Sequence, residues 1–341
     1  MEVLAENVWE SLRQRFPAAR LIANRHSNRM LPLWWLIAVP RVALALATRR
    51  ANVVLTGDAL AYALFRPLLV AARVPHATMV MGLDVTYQHR LYRAIVHRAL
   101  QRAPRLIAIS HATARAAIDA GVNPRRVSVI RLGLPAPPLE RDGRAEAGRR
   151  LRADLGLSPD AVVAVTVGRL VRRKGVLWFV RTVLPRLPVS VTYVVAGDGP
   201  IAPQVRNAVD ELGLGSRVKL LGSVDDNVRE HLLRGADLFV QPNVRVRGDM
   251  EGFGLAVLEA AMRGTLTVAS GIEGILDAVI DGRTGILLPA EDEDAWVQRL
   301  SLLASDVGAL RDLGWEYAMA ARESYSVERM GDQLAQLLHD R

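Results

Sequence analysis

Eleven short runs rich in valine, leucine and isoleucine alternate with stretches of helical period, and that alternation leaves this chain few folds to adopt. In the first half the runs are Arg20–Ala23, Asn52–Thr56, Thr78–Met81, Leu106–Ile109 and Val127–Ile130, with helical stretches at 2–17, 31–49, 58–72, 88–102 and 111–120. In the second half they are Val162–Val167, Val189–Val195, Val218–Leu221, Leu238–Gln241, Leu266–Ala269 and Ile286–Leu288. Strand alternating with helix predicts parallel sheets with helices on both faces. Ser110 stands where it can cap the helix at 111–120, and Gly121 where it can end it.

A chain of 341 residues suits two domains of ordinary size. Pro135-Ala136-Pro137-Pro138 through Gly143 reads as a stiff polar linker between them, and a basic helix from Arg144 to Leu155 opens the second domain. Each domain is expected to be a doubly wound α/β sheet, in which ligands lie at the carboxyl ends of the strands. The segments 168–174, 197–200, 242–254 and 270–275 all follow predicted strands and so share one rim.

The densest stretch on that rim is Asp249-Met250-Glu251-Gly252-Phe253-Gly254-Leu255-Ala256-Val257-Leu258-Glu259-Ala260-Ala261. Gly252 and Gly254 permit turn geometry and close approach of the backbone to a ligand. From Leu255 to Met262 the pattern is helical, with Leu255, Leu258 and Met262 along one face. Glu251 therefore precedes a helix start and Glu259 lies inside it. Free N–H groups and the dipole at such a start attract phosphate. A buried Glu259 needs a bonding partner, which sugar hydroxyls can provide. The plainer alternative is an ordinary helix start with one acid in its first turn. Arg172-Arg173-Lys174, taken alone, likewise reads as a solvated charge run, whereas Arg169 directly follows a buried strand and Gly168.

Glu251 and Glu259 with seven residues between them, behind Asp249-Met250 and around Gly252-Phe253-Gly254, resemble the signature of glycosyltransferase family 4. Val167-Gly168-Arg169-Leu170, Lys174-Gly175, Ala196-Gly197-Asp198-Gly199-Pro200 and Glu273-Gly274-Ile275 follow the same pattern, and the likeness spans residues 75–330. The resemblance implies the GT-B fold: two Rossmann-like, doubly wound parallel-sheet domains facing a cleft. Residues 1–142 would take the acceptor, 143–323 the nucleotide sugar, and 324–341 would form a helix crossing back to the first domain. The implied reaction moves a hexosyl unit from a UDP- or GDP-linked sugar to a lipid-linked or glycan acceptor. Configuration is retained, and neither cofactor nor metal is needed.

By the same resemblance Arg169 and Lys174, beside Gly168, grip the donor diphosphate. A cationic clamp suits a leaving group whose charge grows as the glycosidic bond breaks, and it supplies what a divalent cation otherwise would. Glu259 would hold the ribose, and Glu251 would be a catalytic residue beside the transferred sugar. Gly252 and the N–H groups of Phe253, Gly254 and Leu255 would hold sugar hydroxyls and phosphate, while Gly222 to Val224 line the base. Met81-Gly82-Leu83-Asp84-Val85-Thr86 resembles the His-Gly-x-Asp segment of the family, with Met81 where histidine is usual. Asp84 is then a second catalytic candidate facing the cleft. His89 and His111 read as surface or capping residues. Asp292-x-Asp294 reads as an acidic helix start rather than a metal site. Met81 also keeps open a catalytically silent sugar-nucleotide binder, and the fold keeps open a phosphorylase-like enzyme. Family members begin with a strand and a Gly-Gly loop, yet no glycine precedes Gly57. Truncation at the amino end is therefore expected, with a gap where the central strand of the first sheet belongs.

Charge is divided unevenly. Residues 1–150 hold 23 arginines against 9 acidic residues, a balance of +14, and the remainder balances at −5. A basic first half implies an anionic partner. The arginines are scattered and form no nucleic-acid-binding signature, so anionic lipid or a phosphorylated acceptor is expected instead of nucleic acid. Trp34-Trp35 near Arg29 adds to the expectation of peripheral attachment to a membrane's inner face. Pro32, Pro40 and Arg41 interrupt Met30–Thr48, which argues against a span. With no cysteine and with Glu2, Glu6 and Glu10 where a leader would be basic, the expected location is the cytoplasm.

Overall fold

Every strand pair in the computed structural model, which describes residues 2–23 and 31–339, is parallel. The chain divides into two units: one holds residues up to Gly133 together with those from Val327 onward, the other residues 134–326. The first boundary thus lies nine residues before the expected 142, because the stretch expected to be the linker groups with the second unit.

Unit 1 contains β1 (Val54–Thr56), β2 (His76–Val80), β3 (Leu106–Ala108) and β4 (Val127–Val129). Its helices are α1 (Glu2–Arg15), α2 (Leu31–Ala47), α3 (Ala59–Ala71), α4 (Leu83–Thr86), α5 (Arg90–Leu100) and α6 (His111–Asp119). The strands pair in sequence order, β1-β2-β3-β4, so the sheet has no internal break and the gap expected for a missing central strand does not occur between them. Arg20–Ala23 is not a strand. Leu21 and Ile22 are exposed and the run pairs with no sheet. The core gathers Tyr62, Leu69, Val80, Val96, Leu100 and Leu106, all essentially inaccessible to solvent. Trp34 and Trp35 belong to it as well: Trp35 packs on Phe65 at 5.0 Å, and the two indoles meet edge to face at 4.9 Å. The tryptophan pair is therefore core rather than membrane-facing, and Arg29 lies outside the described residues. The outward face of α2 nevertheless exposes Leu36, Ile37 and Leu44.

Unit 2 contains β5 (Val162–Val167), β6 (Val191–Ala196), β7 (Val218–Gly222), β8 (Leu238–Gln241), β9 (Leu266–Ser270) and β10 (Ile286–Leu288). Its helices are α7 (Arg141–Asp154), α8 (Val176–Trp178), α9 (Ala202–Glu211), α10 (Asp226–Gly235), α11 (Leu255–Ala261), α12 (Ile275–Ala278), α13 (Glu293–Ser305) and α14 (Val307–Ser324). The order β10-β9-β8-β5-β6-β7 reverses direction between β5 and β8, which is the topological switch point where such sheets bind ligands. Every residue of β5 and β6 is buried, as strands covered on both faces must be. Phe179, Tyr193 and Trp296 centre the larger core, and the Tyr193 hydroxyl is satisfied by Thr166 at 2.6 Å.

The last helix, α15 (Val327–His339), belongs to unit 1 and lies against α1. Arg15 reaches across to Asp332 at 2.7 Å and to the Glu328 carbonyl. Gly331 makes room for it, since a Cβ there would stand 2.5 Å from the Arg15 guanidinium.

Candidate active site

The loops at the carboxyl ends of β5, β6, β8 and β9 lie backbone on backbone, and glycine makes that contact possible. A Cβ on Gly197 would stand 1.9 Å from the Gly168 carbonyl oxygen, and one on Gly175 would stand 1.7 Å from that of Pro242. Gly197 and Gly175 also adopt φ of +147° and +66°, so glycine is required there on both counts. Between these contacts the loop after β5 makes one 3₁₀ turn at Arg172–Lys174, and Val244 donates its N–H to the Arg173 carbonyl at 2.9 Å. Lys174 is thereby set against the loop that carries Glu251.

The two side chains join. Lys174 Nζ lies 2.6 Å from Glu251 Oε2, and Asn243 Nδ2 donates to the same oxygen at 3.1 Å. Gln241 orients Asn243 from behind at 2.8 Å. Arg173 Nε is 3.7 Å from Glu251 and 3.6 Å from Asp249, and it makes no hydrogen bond of its own. Glu251 is 8% exposed. Burial pushes its carboxyl up, but the charges of Lys174 and Arg173 and the hydrogen bonds hold it below the usual range. Its N–H donates to Glu273 at 2.6 Å, and its carbonyl accepts from Gly274 at 3.0 Å. Burial, with the Glu251 charge adding to it, raises the Glu273 carboxyl. Glu273 takes φ of +52°, a position few non-glycine residues occupy.

Arg169 is exposed and its side chain has no partner among the described residues. The diphosphate clamp expected of Arg169 and Lys174 is thus divided: one cation is open, and the other is committed to the carboxylate read as catalytic. Arg172-Arg173-Lys174 is not a solvated run either, since Arg173 and Lys174 are largely covered. Glu259, in the second turn of α11, is bound by Arg229 from α10. Gly254, with φ of +92°, precedes α11, and no acceptor meets the N–H groups of Phe253, Gly254 or Leu255 among the described residues. Phe253 itself is buried against Tyr325 at 6.3 Å. Gly252 has no positive φ, unlike Gly254, and packs under Gly274. At the end of β7, Gly222 takes φ of +67° and accepts from Gly197 at 2.7 Å, and Val224 is half-buried beside it. Asp292 caps α13 through Ala295 and Asp294 pairs with Arg186, as an acidic helix start does.

Arg173, Asn243 and Arg229 went unread in the sequence. Arg173 reads as part of a charge run, Asn243 lies in the rim segment 242–254 with nothing to single it out, and Arg229 lies in no rim segment; only their contacts with Glu251 and Glu259 mark them.

Asp84 lies in unit 1. Its Oδ1 accepts from the Met81 N–H at 2.9 Å and its Oδ2 from the Ala59 N–H at 3.2 Å, so both oxygens brace backbone. That geometry suits a positioning carboxylate at the start of α3 better than a catalytic one. His89 caps α5. Burial pushes the Asp84 carboxyl from its ordinary 3.8 up to about 6, against the pull of the two N–H groups and with Asp58 adding to the rise. A folded-state value above the unfolded one favours the native state at low pH. That contribution is full below 3.8 and is lost as pH rises through about 6. The stability advantage of wild type over Asp84→Asn is therefore expected to narrow between about pH 4 and pH 7. Urea unfolding of both proteins across that window checks it, and a flat or widening difference contradicts it.

The family model described as "Glycosyltransferase Family 4" matches residues 2–136, and that described as "Glycosyl transferases group 1" matches residues 161–306. The chain belongs to glycosyltransferase family 4. This family 4 chain is 30% identical over 223 residues to the D-inositol 3-phosphate glycosyltransferase of Corynebacterium efficiens, covering 63% of this chain and 51% of that one. It is 34% identical over 202 residues to the enzyme of the same name from Mycobacterium sp. (strain KMS), covering 58% and 44%. The chain thus spans about half the length of the curated relatives it matches. Among solved structures, Anabaena Alr3699/HepE in complex with UDP-glucose superposes with a TM-score of 0.77 at 20% identity, covering 99% of this chain and 96% of that one. Sucrose-phosphate synthase from Thermosynechococcus elongatus gives 0.69 at 22% identity, covering 89% and 78%. At such identities the superpositions show the shared GT-B fold.

Proposed function

We propose that this family 4 protein transfers a hexosyl unit from a UDP-sugar to a lipid-linked or glycan acceptor, with retention of configuration and without a metal. The observation that carries the reading is the buried Lys174–Glu251 pair at the switch point of unit 2, beside the open Arg169. Preference for UDP over GDP draws on the UDP and UDP-glucose held by the Anabaena structures. In this reaction the acceptor oxygen bonds to the anomeric carbon on the face from which the diphosphate departs. The acceptor's proton passes to the departing phosphate oxygen. Arg169 neutralises the diphosphate as its charge grows, Lys174 adds to that field while orienting Glu251, and Glu251 holds the transferred sugar. Glu259, fixed by Arg229, takes the ribose. Asp84 positions the loop at 81–84 on the acceptor side.

Calorimetry with UDP and a transfer assay with product anomer analysis test the proposal. Arg169→Ala is expected to weaken UDP binding by about 2–5 kcal/mol, the usual loss of a charged hydrogen bond in a site, and to slow transfer in parallel. Unchanged UDP affinity in that variant would remove the clamp. Wild-type protein that binds UDP-sugar yet neither transfers nor hydrolyses it would favour the silent binder that Met81 leaves open.

For a lipid-linked acceptor, the protein would work from the cytoplasmic face of the membrane. Among the described residues no helix is long and apolar enough to cross one. The +14 balance of residues 1–150 and the exposed Leu36, Ile37 and Leu44 of α2 support peripheral contact. Co-sedimentation with anionic vesicles is expected at low salt and is expected to fade as salt screens the arginines. Binding that is absent, or indifferent to salt, argues against it.

A further inference from the structure

The amino ends of the strands in unit 2 carry a charge imbalance that the transfer reaction does not use. Asp237, one residue before β8, is 2% exposed. Its Oδ2 accepts from Val163 N–H at 2.8 Å and binds Arg152, while its Oδ1 accepts from Arg311 Nε at 2.9 Å. Arg144 packs beside them, donating to the carbonyls of Arg234 at 2.6 Å and Ala236 at 2.9 Å. Three guanidiniums therefore gather around one carboxylate: Arg152 is buried against it, Arg311 reaches it from a half-exposed position, and Arg144 is bonded to carbonyls alone. Burial, with Arg311 and Arg152 adding to it, pulls Arg144 down to about 10 even though Asp237 opposes the shift. Uncompensated charge in such surroundings is costly, and a bound anion relieves it.

There is room for one. These side chains border a cavity of 580 Å³ between α7 and α14, a volume within the range of about 300–1,000 Å³ that small-molecule sites occupy. Five arginines and three aspartates line it, so its wall is net positive. Arg311 gives only its Nε to Asp237, which leaves its two terminal nitrogens for a ligand. Arg141 lies over the Trp315 ring at 5.0 Å and is held by Asp312 at 2.7 Å, forming a flat cationic wall on the other side. The space far exceeds a bare phosphate. Leu157 and Pro159 add apolar surface against which an organic body can rest.

We propose that this cavity binds a small organic phosphate monoester, its phosphate on Arg144 and Arg311 and its body along Trp315. The site is distinct from the Arg169–Glu251 rim, because it lies at the opposite ends of the same parallel strands. Guanidinium groups with donors left over at the wall of a cavity suit the three oxygens of a phosphate.

The test titrates phenyl phosphate and inorganic phosphate by calorimetry into the full chain carrying Arg169→Ala, which keeps the donor rim out of the measurement. Phenyl phosphate is expected to bind at one site and more tightly than inorganic phosphate. Adding Arg311→Gln is expected to weaken it by about tenfold or more, the effect of losing a hydrogen bond to a charged group. Should Arg311→Gln not fold, Arg141→Gln on the exposed wall serves instead, with loss of the preference for the phenyl ester as its expected result. Affinity unchanged by both substitutions overturns the site. So does binding that appears only when Arg169 is intact, because the ester then sits on the donor rim. Equal affinity for inorganic phosphate overturns the organic body.

Discussion

Glu251→Gln is expected to slow sugar transfer by about 10²–10³-fold, the usual effect of removing one preorganised polar group from a reacting centre. UDP affinity is expected to stay within about threefold of wild type, because the residue serves the sugar and not the nucleotide. Glutamine keeps the shape and still accepts from Asn243, but it removes the charge that holds Lys174 at 2.6 Å. The freed ammonium can then turn to the diphosphate, so nucleotide binding has no reason to fall. Because the Glu251 carboxyl is held below the usual range, the pair is intact at neutral pH. The stability it contributes is lost as pH falls through the folded-state value. Initial rates with saturating donor, beside calorimetry with UDP, separate the two effects. Binding and rate lost to the same extent would show that Glu251 holds the nucleotide instead.

Asp237→Asn is expected to lower the stability of unit 2 by about 3–5 kcal/mol, since it strands Arg152 in the interior without its partner. Arg152 is 4% exposed, and Arg311 loses its contact in the same step. An amide also turns an N–H₂ group toward either Val163 N–H or Arg311, where only an acceptor fits. Urea unfolding followed by a probe in unit 2 measures the loss, and a change below about 1 kcal/mol would mean that water already reaches the pair. The measurement must resolve the units, because a chain with two units need not unfold in one step.

The strands of unit 2 were legible because β5, β6, β8 and β9 are runs buried on both faces, and the observed bounds of all six agree with the expected ones within two residues. Arg20–Ala23 misled for the same reason in reverse. A short apolar run has no inherent period, and Leu21 and Ile22 stay exposed. The rim was legible too, since each motif follows a strand. What could not be read was which rim residues meet. Lys174 and Glu251 are 77 residues apart, and backbone contacts, Gly175 against Pro242 and Val244 N–H to the Arg173 carbonyl, bring their loops together. The partnership of Glu259 with Arg229 depends in the same way on how α10 and α11 pack. Asp84 shows a different limit. A carboxylate that braces two N–H groups and one that meets a substrate look alike in a sequence.

The return of α15 to unit 1 bears on the order in which the molecule is made. Unit 1 is discontinuous, and the whole of unit 2 is encoded between its two parts. As the chain leaves the ribosome, the strands β1–β4 emerge first, and the whole of unit 2 is then made before α15 follows. Unit 1 meanwhile waits with the α1 surface that α15 covers, and the Arg15 side chain, facing solvent. Only the final 13-residue helix completes it. The unit whose sheet is translated first is thus finished after the other, and the newborn chain carries an uncovered helix face for as long as unit 2 is being made.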